Sequence, residues 1–485
     1  MAKEITQLQP QVVWNYFYDL TQIPRPTGHT KAASDYVANV GKKLGLKTVV
    51  DEVGNVLITK PASAGLENRK VVTLQAHLDM VPQKNADKNH DFEKDPIDTI
   101  IDGDWVKADN TTLGADNGIG AALALAILSD NTLKHGPLEA LFTIDEEVGM
   151  VGANALKKGF LKGDYLLNLD SEMEGEIFIG CAGGIDVNVS LQYKDQICVP
   201  AEDMIVKVSL SGLKGGHSGV DIHLGRANAN KLMVRFLKRA IEETGACLVS
   251  LHGGSLRNAI PREATAILSI QREDADTLWE LVSDYKELYN QEYAGIENNI
   301  RLVVEEFNEP VNTIIPEEIS DGLINACEAV QNGPISYLSD FPGIVESSTN
   351  LASISAEKGM IEIKFLVRSS SESRKMMVAS AVESAFTLMG ARVEFDAAYN
   401  GWQPIAHSRL MEVMTEAYKE LFGKEPAIKV MHAGLECGII QGVMPNMEMI
   451  SFGPTIEHPH SPDERVNIST VDATWKLMVR TLEQL

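Results

Sequence analysis

At 485 residues the chain is too long for one hydrophobic core, so two domains are the starting expectation. A hydrophobic fraction of 44% beside 23% charged residues is ordinary for a folded globular protein. The net charge of −25 excludes nucleic acid as a partner, because binding phosphates needs a basic face.

The first 185 or so residues alternate helical and strand patterns, the texture of an α/β layer structure. Residues 14–20 and 32–44 read as helices, and 71–76 as a buried strand too short and too Val-rich for a helix. An Ala/Leu-rich helix follows over 119–128, then buried strands over 138–144 and 165–169. Beyond Cys181-Ala-Gly-Gly184 the pattern changes: 205–210 alternates like a half-exposed strand, followed by a helix over 224–243. A strand over 264–270 and helices over 274–289 and 317–330 come next, then a strand over 360–368 and a helix over 372–389. Such units, each leaving one sheet face exposed, predict an α+β domain inserted into the first. From about Gly401 the chain returns, with a helix over 408–421, buried strands near Ala427 and Met447, and a final helix. No apolar run approaches the ~20 residues of a membrane helix, and no signal-peptide pattern opens the chain. Cys181, Cys198, Cys247, Cys327 and Cys437 are odd in number and form no Cys-x-x-Cys. A cytoplasmic protein without a membrane partner is therefore expected.

Five side chains carry the candidate chemistry. His77 lies in Gln75-Ala-His-Leu-Asp79, Asp116 in Leu113-Gly-Ala-Asp-Asn-Gly118 and Glu147 in Ile144-Asp-Glu-Glu-Val148. Asp170 lies in Leu167-Asn-Leu-Asp-Ser-Glu172 and His460 in Pro459-His-Ser-Pro-Asp463. Two imidazoles and three carboxylates form the mixed N/O set that zinc, manganese and cobalt accept. His77, Glu146 and Asp170 each fall just past the carboxyl end of a strand, where open α/β sheets gather ligands. Asp79 can accept the ring N–H of His77 that faces away from a metal and fix its tautomer. Glu146, beside Glu147, is left free to handle protons.

Each residue alone has a plainer reading. A strand-end histidine more often caps, Asp116 could be a helix N-cap, Glu146 and Glu147 could be solvated acids, and His458 rivals His460. Gly114-Ala-Asp-Asn-Gly-Ile-Gly120 could cradle phosphate, yet it lacks both the G-x-G-x-x-G register and a G-K-[ST] ending. The joint occurrence of the segments, in order, outweighs these.

That conjunction resembles the M20 family of metallopeptidases, and within it the aminoacyl-histidine dipeptidase group, also called cytosolic non-specific dipeptidase or peptidase D. The likeness runs nearly end to end. It is carried by Leu74-Gln-Ala-His-Leu-Asp-Met-Val-Pro-Gln-Lys84, Thr111-Thr-Leu-Gly-Ala-Asp-Asn-Gly-Ile-Gly120 and Cys181-Ala-Gly-Gly-Ile-Asp186. Lys214-Gly-Gly-His-Ser-Gly219, Arg257-Asn-Ala-Ile-Pro-Arg-Glu263 and His432-Ala-Gly-Leu-Glu-Cys-Gly438 extend it into the inserted region. One departure is Asn110, where the group usually has glycine.

The resemblance implies an α/β fold: a zinc-peptidase-like mixed-sheet catalytic domain from 1–187 and 399–485, with an α+β lid and dimerisation domain over 188–398. It implies two divalent cations, zinc first, with cobalt or manganese as alternatives. Asp116 would bridge them, His77 with Asp170 would hold one, and Glu147 with His460 the other. Glu146 matches the family's general base and Asp79 its His-orienting acid. His217 would meet the oxyanion, while Asn258 and Arg368 would grip the substrate's carboxylate. A cis peptide is expected at Asp116-Asn117. The implied activity is hydrolysis of dipeptides with broad tolerance, β-alanyl-histidine and Xaa-His included, by a homodimer. The alternatives are an N-acyl amino acid deacylase or desuccinylase on the same fold, an inactive scaffold, or a nucleotide binder resting on the Gly-rich turn alone. The last two fail because every expected ligand is present and the turn lacks a lysine.

Overall fold

The structure is a computed structural model describing residues 2–197, 203–405 and 407–485, so Cys198 lies outside the described residues. Contacts divide the chain into two units: 1–180 with 403–430 and 435–485, and 181–402 with 431–434. The expected boundaries at 187/188 and 398/399 fall inside strands Gly183–Gln192 and Arg392–Tyr399 of the second unit. Among the described residues no helix is long and apolar enough to cross a membrane, and no disulfide forms.

The first unit is built on an eight-stranded mixed sheet. Its centre is four parallel strands in the order Leu138–Thr143, Val72–His77, Tyr165–Asn168 and Glu448–Ser451. Every residue of the first three is buried, which is why they read as unbroken apolar runs rather than alternations. Val56–Lys60 and Lys47–Val50 extend one side antiparallel, while Glu176–Cys181 and Ala427–Met431 lie on the other. Ala427–Met431, expected as buried, is half-buried to exposed because it is the sheet's outermost strand. Helix Ala115–Ser129 is buried on nearly all sides, as its Ala/Leu sequence requires. It begins before the expected 119, although Asp116 and Asn117 depart from helical geometry. A smaller sheet joins Thr99–Asp102, Trp105–Ala108, Arg465–Asn467 and Ile456–Glu457.

The second unit carries a nine-stranded sheet whose described pairings are antiparallel. Asp203–Ser211 alternates as expected, turning Val206, Val208 and Leu210 into the core. Helix Ala229–Thr244 starts five residues later than its apolar pattern suggests. Gly225 in the left-handed region ends a short 3-10 turn, and Asn228 then caps the helix by accepting from Asn230 N and Lys231 N.

Candidate functional site

In the first unit, three parallel strands, one helix start and one loop deliver the candidate ligands. His77 closes Val72–His77 rather than following it, and is 1% exposed. Asp170 follows Tyr165–Asn168, Glu147 follows Leu138–Thr143, and Asp116 sits in the irregular first turn of Ala115–Ser129. His460 lies in the loop between Ile456–Glu457 and Arg465–Asn467.

Their separations divide into two halves that share Asp116. His77 Nε2 is 3.1 Å from Asp116 Oδ1 and 3.2 Å from Asp170 Oδ1. His460 Nε2 is 3.2 Å from Asp116 Oδ2 and 3.1 Å from Glu147 Oε1. His77, Asp116 and Asp170 make one potential ligand group and Asp116, Glu147 and His460 another, while Glu146 forms a third with His77 and Glu147. His458 joins none of them. The Asp116-Asn117 peptide is cis, and the Asn117 side chain donates to Asp170 Oδ1.

Asp79 ties the centre together. Fully buried, it lies 3.3 Å from His77 Nδ1, an ion contact rather than a well-directed hydrogen bond. The same carboxylate accepts from Glu146 N at 3.0 Å, Glu147 N at 3.2 Å and Thr27 Oγ1 at 2.9 Å. Burial opposes its ionisation, but His77 and these amides hold it at about 2. Burial also opposes charge on His77, yet Asp170, Asp116 and Asp79 keep its proton well above the imidazole range. Asp116 and Glu147 hold His460 up to about 11. Burial raises Glu146 well above ordinary carboxylates, with Asp170, Glu436 and Glu147 adding to it.

The donor set fits a pair of divalent cations. Each imidazole Nε2 faces two carboxylate oxygens, more lone pairs than one proton can satisfy. Glu147 Oε1 is buried, and its approach to His460 lacks hydrogen-bond geometry. A cation at each ring would answer these contacts, and nitrogen and oxygen donors suit zinc, cobalt and manganese.

The remaining three sequence-predicted residues lie in the second unit. His217 belongs to Gly216–His217, which pairs with Ala259–Ile260. Its Nδ1 accepts from Gly219 N at 3.1 Å and Val220 N at 3.0 Å, so a neutral ring carries its proton on Nε2. Burial and the Arg368 charge lower its basicity. Asn258 is exposed in the turn before Ala259–Ile260, and Asn350 Nδ2 donates to Arg257 O and Ala259 O on either side of it. Arg368, 4% exposed, donates from Nη1 to Tyr399 OH at 2.8 Å, while its Nε has no partner. Among the described residues no carboxylate pairs with it, which leaves a buried cation open to an anion.

A model of peptidase family M20/M25/M40 matches residues 73–484. The chain belongs to that family. It is a hydrolase of peptide bonds. The M20 chain is 47% identical to the cytosol non-specific dipeptidase of Escherichia coli strain K12 over 482 residues, 99% of each. The crystal structure of aminoacylhistidine dipeptidase from Vibrio alginolyticus superposes with a TM-score of 0.95 at 46% identity, covering 100% of this chain and 99% of that one. Aminopeptidase PepT from Bacillus cereus shares the fold, at 17% identity and a TM-score of 0.56 over 98% and 99% of the two chains.

Sequence reasoning missed several residues of this M20 site. Arg25, 2% exposed, donates to Leu78 O at 2.9 Å, Asp79 O at 3.1 Å and Gly114 O at 2.5 Å, bracing both ligand-bearing turns. Glu436 is fully buried beneath the strand ends, accepting from Gln75 Nε2 at 2.5 Å and Thr143 Oγ1 at 2.7 Å. Glu464 binds the turn before Asp116. The available signals were weak: Glu436 stands inside a quoted family string, and Glu464 only four residues past His460. Asn110, the departure from the family pattern, has φ +60°, a left-handed position that favours glycine and that asparagine tolerates better than most residues.

Proposed function

We propose that this M20 peptidase is a metal-dependent dipeptidase of broad specificity, acting on Xaa-Xaa substrates with β-alanyl-histidine and Xaa-His among them. The observation that carries the reading is Asp116, whose two oxygens each face a different imidazole, with Glu146 alongside. His77 with Asp170 would hold one cation and Glu147 with His460 the other, zinc in preference to cobalt or manganese. Such a pair supplies Lewis acidity that polarises a carbonyl and lowers the pKa of a water. Glu146 takes the water's proton on its carboxylate and delivers it to the leaving amine nitrogen. Its proton affinity, raised first by burial, suits a group that takes up a proton and passes it on. Asp79 keeps His77 oriented by holding Nδ1.

His217 offers an Nε2–H to the developing oxyanion, and Arg368 with Asn258 holds the C-terminal carboxylate. A longer peptide would bring an amide to Arg368 and strand its charge, which restricts turnover to dipeptides. We assign lid and dimerisation roles to 188–398, and a homodimer in the cytoplasm. The cytosol relative in E. coli and the absence of a membrane-spanning helix among the described residues support that location. The deacylase alternative is not favoured, because the near-full-length relatives are named dipeptidases.

The test is turnover of the zinc-loaded chain on a dipeptide panel, the matching dipeptide amides and N-acetyl amino acids. Dipeptides should be cleaved well ahead of both others. Preferential cleavage of the N-acetyl amino acids would overturn the assignment.

A further inference from the structure

Glu464 is 2% exposed, and both its oxygens are spent on backbone. Oε2 accepts from Leu113 N at 2.8 Å and Gly114 N at 2.9 Å, and Oε1 from Ala115 N at 2.7 Å and Asp116 N at 3.2 Å. Successive amides converging on one carboxylate form an anion nest at the start of helix Ala115–Ser129. From the opposite side Arg25 Nη2 donates to Gly114 O, so the turn is held between a carboxylate and a guanidinium. A side chain at Gly114 would be strained at φ +70°, and its Cβ would stand 2.6 Å from Arg25 Nη2 and 2.7 Å from Met80 Sδ, so both would have to shift.

Glu464 also belongs to the loop that carries His460. That loop holds His458 at φ +55° and His460 at φ +59°, conformations that persist only where the surroundings over-determine them. The pairings of Arg465–Asn467 with Ile456–Glu457 and with Trp105–Ala108 anchor the loop's base. Neither pairing reaches the Asp116 turn, whereas Glu464 grips the amide of Asp116 itself. His77 and Asp170, by contrast, are delivered by neighbouring parallel strands.

We propose that Glu464 is a positioning residue that fixes His460 against Asp116, and so bears more on the half-site formed by Asp116, Glu147 and His460 than on the His77–Asp170 half, which feels it only through the shared Asp116. The inference rests on the two-cation reading above. Loss of a group that orients ligands typically weakens metal binding by roughly 10–100-fold.

The experiment titrates the metal-free full-length chain with Zn²⁺ in chelator buffers, followed by calorimetry and metal content. His460→Ala identifies which step belongs to its half-site. The wild type should take up two ions. Glu464→Gln should weaken the His460-dependent step roughly 10–100-fold and the other step distinctly less, since that step loses only the support of the shared Asp116. Glu464→Asp, which keeps the charge with a shorter reach, should fall between the two. Equal weakening of both steps, or no change in either, overturns the inference while leaving the two-ion reading intact. Uptake of fewer than two ions by the wild type sinks both. Failure of both variants to fold would also overturn it, since Glu464 would then serve folding rather than one half-site.

Discussion

Glu146 reaches the ligand atoms of His77 and Glu147, yet neither imidazole needs it to complete its carboxylate pair. Glu146→Gln keeps the size and removes the base. Turnover should drop by roughly a thousandfold, the scale of lost acid–base catalysis, with zinc content by atomic absorption unchanged. Near-normal turnover with full metal would remove Glu146 from its role. Arg368 makes a separate claim. Its buried guanidinium has Tyr399 OH for company and no carboxylate among the described residues. Arg368→Ala should raise KM for dipeptides by roughly 10–100-fold, the equivalent of about 1.5–3 kcal/mol for hydrogen bonds to a charged group. KM for a dipeptide amide should barely move, and equal effects on both would count against carboxylate binding. The five candidate ligands were legible only together, because each alone has a plainer reading and the ordered set of motifs does not. Arg25 and Glu464 were not, because they act on backbone groups such as Gly114 O and Asp116 N that leave no mark in the sequence.

Strands and helices were legible where burial follows a period. Val72–His77 and Leu138–Thr143 announce themselves as apolar runs, and Asp203–Ser211 as an alternation. The 13-residue strand Val345–Glu357 escaped notice because its first half is buried and polar: Glu346, Ser347, Ser348, Thr349 and Asn350. Tertiary partners satisfy most of them, Ser347 through Ser369, Ser348 through His432 and Asn350 through the turn around Asn258, while Thr349 Oγ1 is buried without a hydrogen bond. No hydrophobic pattern could report them. The helix Ala115–Ser129 makes the opposite demand, since its glycines are packing sites. At Gly120 a Cβ would stand 2.6 Å from Leu169 O and would strike the Asn117 side chain that donates to Asp170. Gly120→Ala should therefore cost about 1–3 kcal/mol through overpacking and displace Asn117. A lower melting temperature together with reduced zinc retention on dialysis is expected; full retention would show that the helix start is not coupled to the ligands.

Over the whole molecule, an excess of acid sets how the metal-free protein responds to pH. Burial raises Glu436 and Glu464 to about 7 and Glu172 to about 9, and His460 stands at about 11 beside Asp116 and Glu147. Each binds its proton more tightly folded than unfolded, so the stability it contributes is present at low pH and lost as pH rises through the folded value. Under chelation the melting temperature should fall between roughly pH 5 and 11, from the ordinary carboxylate range up to the folded value of His460. The chain's net charge of −25 works in the same direction through self-repulsion. Of these groups His460 is a candidate ligand, and zinc must displace its proton, so zinc affinity should climb over that range. Added zinc should then flatten or reverse the slope of the melting curve. A chelated protein whose stability rises with pH would contradict the proton assignments.

The central sheet also dictates an order of assembly. Tyr165–Asn168 finds its second parallel neighbour only in Glu448–Ser451, nearly three hundred residues further along. On the ribosome, the early strands therefore emerge with one flank bare until that late stretch is translated. His460 leaves the exit tunnel later still. On the proposed ligand set, a nascent chain interrupted before that point would hold His77, Asp116, Glu147 and Asp170 but lack the second imidazole, and so would be without hydrolytic competence.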